Sequence, residues 1–179
     1  MIFRETNIKG LYEIALERHS DARGSFARTF CEDEFAQAGL PTHFVQANSS
    51  VNVRAGTLRG MHFQRPPHEE GKLVRCVRGA IHDVVIDIRP QSPSFRQSLS
   101  FRLDCRENFS LYIPAGCAHG FQTLEDDSEV LYEMTTRHSA AYASGFRYDD
   151  PGFALSWPLP ITMISEKDLA WPALESAGQ

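Results

Sequence analysis

The stretch KLVRCVRGAIHDVVIDI, residues 72–88, decides the fold. Residues 72–77 read as one strand and Gly79 as a turn signal. Residues 80–88 then alternate with period two. His82, Val84, Ile86 and Ile88 share one face, and Ile81, Asp83, Val85 and Asp87 share the other. Outward from this centre the pattern repeats. Leu99, Phe101 and Leu103 alternate with Ser98, Ser100 and Arg102, residues 111–113 precede the turn Pro114-Ala115-Gly116, and residues 130–134 form a further apolar run. Short strands punctuated by Gly and Pro predict a sandwich or barrel. Helical signals are few. Residues 32–38 look helical with Gly39 at the C-terminal end, and Ser165 is a candidate N-cap for a short helix through Asp168. The expected fold is mainly β: two packed antiparallel sheets in a jelly roll, a few short helices, and residues 1–179 as one domain without repeats or linkers.

Composition narrows the function classes. The chain is 42% hydrophobic and 23% charged, with a net charge of −5, which gives no basic excess for nucleic acid. An acidic protein that holds an anionic ligand must concentrate a few cations locally, so individual Arg and Lys residues matter. The four cysteines, Cys31, Cys76, Cys105 and Cys117, are scattered and form no C-x-x-C pair. Cys76 lies inside an apolar alternation and reads as a core residue. The N-terminal residues lack a signal pattern, and no apolar run approaches spanning length. The expectation is a cytoplasmic protein without a membrane or nucleic-acid partner.

Several residues carry chemistry. In Leu58-Arg59-Gly60-Met61-His62-Phe63-Gln64, Arg59 and His62 flank a glycine that lets backbones approach closely, and Lys72 and Arg75 follow. An imidazole beside fixed cations suits proton abstraction from an anionic substrate, with the cations stabilising an oxyanion. From this segment alone, a surface histidine in a turn is an equally good reading. Pro114-x-Gly116-x-x-His119 matches one half of the cupin signature, but the closely spaced histidine pair of the other half is missing. Glu69 and Glu70 lie in a Pro-rich loop that reads as exposed. Three ligands are not assembled, so no metal is expected. His119 is then a second polar group of a metal-free pocket, or a satisfied core histidine. Taken singly, Tyr132 reads as a core or rim aromatic, Asp168 as a helix-capping carboxylate, and Arg23 as a solvated turn residue.

Together these segments resemble the dTDP-4-dehydrorhamnose 3,5-epimerase family. The motifs are Asp21-x-Arg23-Gly24-x-Phe26, Phe44-Val45-Gln46-x-Asn48, Leu58-Arg59-Gly60-x-His62-Phe63-Gln64, Gly71-Lys72-Leu73-Val74-Arg75, Pro114-x-Gly116-x-Ala118-His119-Gly120-Phe121, Leu131-Tyr132, Trp157-Pro158 and Ser165-x-Lys167-Asp168. The resemblance runs through most of the chain. It implies a cupin-type jelly roll that works as a homodimer, without metal or redox cofactor, on a nucleotide-diphosphate 4-keto-6-deoxy sugar. It implies His62 as base oriented by Asp168, Tyr132 as acid on the opposite face of the sugar, and pyrophosphate contacts from Arg59 and, across the dimer, from Arg23. Phe26, Arg28, Gln46, Asn48, His119 and Arg137 complete the implied substrate-binding set. Chemistry agrees: a 4-keto group acidifies the neighbouring C–H bonds, and Lys72 is a donor for the enolate oxygen, a contribution on the order of 3–4 kcal/mol.

The sequence departs from the family near the nucleobase. Arg28 and Ala47 stand where the family usually has acids, and Arg137, followed by His138, stands where it often has an aromatic. Arg28 can only donate hydrogen bonds, which suits the acceptors of cytosine better than the thymine N3–H. The expectation is that a base other than thymine is tolerated or preferred. The alternative is that Arg28 turns to solvent or pairs with Glu32. Within the epimerase class, inversion at C3 alone or C5 alone, on a non-thymidine substrate such as a CDP sugar, is the second reading. A catalytically inactive sugar-binding cupin and a metal-dependent cupin enzyme are the readings from other classes.

Overall fold

The two halves of residues 72–88 are neighbours in sequence but belong to different sheets, and Gly79, at φ +69°, carries the chain from one to the other. The structure, a computed structural model, describes residues 1–174. Its strands are β1 (Ile2–Glu5), β2 (Tyr12–Ala15), β3 (Arg18–Asp21), β4 (Gly24–Ala27), β5 (Gln46–Asn52), β6 (Leu58–Gln64), β7 (Lys72–Arg78), β8 (Ala80–Asp87), β9 (Ser98–Asp104), β10 (Phe109–Ile113), β11 (Cys117–Thr123), β12 (Ser128–Met134) and β13 (Ala143–Gly145). Two helices, α1 (Glu32–Gln37) and α2 (Glu166–Leu169), accompany them. One sheet runs β1-β2-β10-β7-β12-β5 and the other β13-β6-β11-β8-β9, with every named pairing antiparallel. These are the two packed sheets of a cupin-type fold.

The alternation in β8 explains the layering. Ile81 and Val85 face the space between the sheets, where they pack with Leu103, Cys117 and Phe121 against Val74, Cys76, Leu111, Ile113 and Val130 of the opposing sheet. Burying each large aliphatic side chain contributes about 1.5–3 kcal/mol. Cys76 is a core residue as its alternation predicts. The other face of β8 is buried too: Val84 and Ile86 lie with Met61, Phe146, Phe153 and Trp157. On the outside of the six-stranded sheet, Phe35 of α1 packs with Ile14, Leu73 and Tyr112. Both outer faces are thus covered in part, which is why a central strand such as β8 is buried on both sides.

Asp83 and Asp87 share the inward face with Ile81 and Val85, and both are fully buried. Asp87 is satisfied by Arg89, Ser92 and Ser94. Burial acts to raise its carboxyl, but these donors hold it well below the usual carboxylate range. Helix α1 ends one residue earlier than the sequence suggests, with Ala38 as C-cap and Gly39 beyond it at φ +71°. The β3–β4 hairpin pairs only with itself and exposes Phe26 at 71%. Among the described residues, no helix is long and apolar enough to cross a membrane.

Candidate active site

The site is built where β6 meets β11. Gly60 has φ +128°, and a Cβ there would lie 2.6 Å from Gly120 Cα and 3.0 Å from the His119 carbonyl oxygen. Only glycine permits that approach. The register of the two strands shifts between His119 and Phe121, while His62 and His119 remain paired side by side.

His62 Nε2 lies 2.6 Å from Asp168 Oδ1. The Asp168 carboxylate also accepts from the Gly60 backbone N–H at 3.4 Å. The α2 cap is made differently: Ser165 Oγ accepts from the Asp168 backbone N–H at 3.0 Å. The sequence reading of Asp168 as a capping carboxylate is therefore corrected. Its amide joins the cap, and its carboxylate serves His62. Burial acts to raise the Asp168 carboxyl, yet the hydrogen bonds and charge from His62, with the Gly60 and Ser165 contacts, hold it below its ordinary value.

Two adjoining cavities share His62, Lys72 and Tyr132 as a common wall. The smaller, about 150 Å³, is also lined by Ser50, Arg59 and His119. The larger, about 350 Å³, adds Gln46, Asn48, Glu70, His138, Lys167 and Trp171. His62 comes from the five-stranded sheet, whereas Lys72 and Tyr132 come from the six-stranded sheet, so imidazole and phenol enter the cavity from different layers. Burial raises the Tyr132 phenol, partly opposed by Arg59 and reinforced by Glu70, which favours the protonated form.

The surrounding polar groups are fixed by partners. Arg59 Nε donates to Asn52 Oδ1 at 2.7 Å. Gln46 Nε2 donates to Asn48 Oδ1 at 3.0 Å, and Gln46 Oε1 accepts from the His138 backbone N–H at 3.0 Å. His119 Nε2 is 2.7 Å from Asp83 Oδ2. His119 is thus a buried histidine with a side-chain partner, and it also lines the cavity. Among the described residues, no three His, Cys, Asp or Glu side chains are grouped to hold a metal ion. Glu70 does not sit in an exposed loop as expected. It is buried, and its Oε1 lies 3.0 Å from Lys72 Nζ.

Comparison with known proteins assigns this arrangement to a family. A family model described as dTDP-4-dehydrorhamnose 3,5-epimerase matches residues 5–176. The chain belongs to the dTDP-4-dehydrorhamnose 3,5-epimerase family. It is 42% identical to the dTDP-4-dehydrorhamnose 3,5-epimerase of Methanothermobacter thermautotrophicus over 96% of this chain and 94% of that protein. Its fold superposes with TM-score 0.94 on the Bacillus anthracis dTDP-4-dehydrorhamnose 3,5-epimerase with TDP and PPi bound, at 35% identity and covering 97% and 99% of the two chains. The fold is also similar to ChmJ, a 3'-monoepimerase from Streptomyces bikiniensis in complex with dTDP-quinovose, with TM-score 0.88, 32% identity, and coverage of 96% and 87%.

Membership makes this chain an epimerase, and therefore an isomerase. Within one epimerase chain, eight of the family-implied residues converge: His62, Asp168, Tyr132, Lys72, Gln46, Asn48, Arg59 and His119. Four do not. Arg23 and Phe26 lie on the exposed β3–β4 hairpin, where Arg23 is 90% exposed and paired with Asp21. Arg28 Nη1 pairs with Glu34 Oε1 at 2.8 Å, not with Glu32. Arg137 is exposed, and its neighbour His138 lines the cavity instead. Sequence reasoning missed Glu70, Asp83 and Trp171. For Asp83 the signal was available, since it falls on the apolar face of β8 and a carboxylate there needs a buried partner.

Proposed function

We propose that this epimerase inverts C3 and C5 of a dTDP-linked 4-keto-6-deoxyhexose through an enolate. The observation that carries the reading is the single cavity wall shared by His62, Lys72 and Tyr132, with Asp168 2.6 Å behind His62. His62 takes the proton from the carbon beside the keto group. Asp168 orients the ring and favours the imidazolium formed in that step. The electron pair moves onto the keto oxygen, where the Lys72 ammonium donates to it. Tyr132 returns a proton from the opposite side, because it projects from the other sheet. His62 is 41% exposed, so its proton exchanges with water between turnovers.

Arg59 serves the diphosphate. A second copy of the chain supplies Arg23 through its hairpin, which makes the working unit a two-fold homodimer. The substrate class is supported by the similar structures that hold TDP with PPi and dTDP-quinovose. The similarity to a 3'-monoepimerase makes inversion at C3 alone the second reading. Turnover in deuterated water, with nucleotide 4-keto-6-deoxy sugars as substrates, tests both. Label at C3 and C5 is expected; label at C3 alone selects the second reading, and no label at either carbon overturns the mechanism.

A further inference from the structure

Among the buried titratable groups that the mechanism leaves unused, Glu70 lines the cavity beside Lys72. Glu70 stands two residues before Lys72, its side chain 5% exposed, with Oε1 3.0 Å from Lys72 Nζ and the other oxygen, Oε2, buried without a hydrogen-bond partner. Leaving a carboxylate oxygen buried and unmatched is costly in a fold that satisfies nearly all such groups. The same carboxylate lines the larger cavity. A surface loop would have hydrated it; here the loop folds it inward onto a lysine whose side chain is itself only 10% exposed.

We infer that Glu70 is a positioning residue that holds the Lys72 side chain aimed at the keto oxygen of the substrate. This inference rests on the reading of Lys72 as the enolate-stabilising donor. An ammonium has three N–H donors and no acceptor. Glu70 engages the group from one side and leaves donors for the ligand. A lysine has a long flexible stem, and a charged contact at its tip restricts the directions in which it points. Glu70 is the carboxylate in direct contact with Lys72.

The test compares Lys72→Met, Glu70→Gln and the double variant in the whole chain, with kcat and KM as separate readouts. Glu70→Gln keeps a hydrogen-bond acceptor at Oε1 but removes the charge that strengthens the contact. It should lower kcat by about 10- to 100-fold with little change in KM. The double variant should be no worse than Lys72→Met alone, because the two residues act as a unit. Full activity of Lys72→Met would overturn the role of Lys72 itself. Loss in Lys72→Met with an unchanged kcat in Glu70→Gln would overturn the inference while leaving that role intact. Additive losses would assign Glu70 to folding alone and would equally overturn it. Circular dichroism and urea midpoints establish that each variant is folded before its rate is compared.

Discussion

Asp168 reaches His62 at 2.6 Å from a helix whose cap, Ser165, binds only the Asp168 backbone amide. Carboxylate and amide of one residue are thereby committed to different tasks. Asp168→Asn should keep the cap but lose the charge that supports the imidazolium, lowering kcat by about 100-fold or more. It should also change the pH dependence of stability. The folded carboxyl lies below its ordinary value, so its contribution is present above the unfolded value, about 3.9, and is lost as pH falls through the folded value. Urea midpoints should therefore fall more steeply below about pH 4 in the parent than in Asp168→Asn. Parallel curves would show that the pair adds no such stability.

His62 and Tyr132 come from different sheets, and in the proposed mechanism this makes proton removal separable from inversion. Tyr132→Phe should impair net inversion more than it impairs solvent-deuterium exchange. His62→Ala should lower both by about 10²–10⁴-fold while still binding nucleotide diphosphate. Nuclear magnetic resonance of recovered sugar reads both quantities in one sample. Equal loss of exchange and inversion in Tyr132→Phe would reassign the phenol to holding the substrate.

The exposed hairpin predicts complementation. Arg23→Ala and His62→Ala should each be weakly active alone. Mixed after dissociation and reassociation, they should regain activity, because one hybrid site combines a His62 from one chain with an Arg23 from the other. Sedimentation at micromolar concentration should show a dimer. A fully active monomer would remove Arg23 from the site.

The nucleobase expectation changes with the structure. Arg28 is paired with Glu34, which also binds the N-terminal amine of Met1. That pair is exposed, with the Arg28 side chain at 60%, so it competes with a base contact without excluding one. Because similar structures hold TDP and dTDP-quinovose, we expect dTDP to bind more tightly than CDP, with Arg28→Glu leaving the ratio unchanged. Calorimetry of the two nucleotides side by side decides it. A preference for CDP that Arg28→Glu reverses would restore Arg28 as a base reader.

Much of this was legible in the chain because residues 80–88 are a short run rich in Val and Ile that follows the turn at Gly79, which favours a strand over a helix. The glycine between Arg59 and His62 signalled a close backbone approach, which Gly60 and Gly120 provide. Strand β5 was not legible, since Gln46–Asn52 is mostly polar and one of its faces lines a cavity rather than a core. Glu70 was misread for the opposite reason. A run of Pro, His and Glu looks solvated, and only the fold shows that its last residue turns inward to Lys72. Arg137 and His138 differ by one position, and a loop carries no periodicity that would have said which of them faces the ligand.

The placement of His62 and Tyr132 in opposite layers has a consequence for how such enzymes diverge. Between the two sheets lie Val85, Leu111 and Val130, which line neither cavity, and Tyr132 packs against the cluster they belong to. Interior volume acts as the spacer. A methylene added or removed there reaches the chemistry as a change in reach, because packed interiors transmit strain rather than absorb it. In the proposed mechanism such a change would alter the reach of Tyr132, which makes those three aliphatic residues a starting point for a laboratory search for altered products.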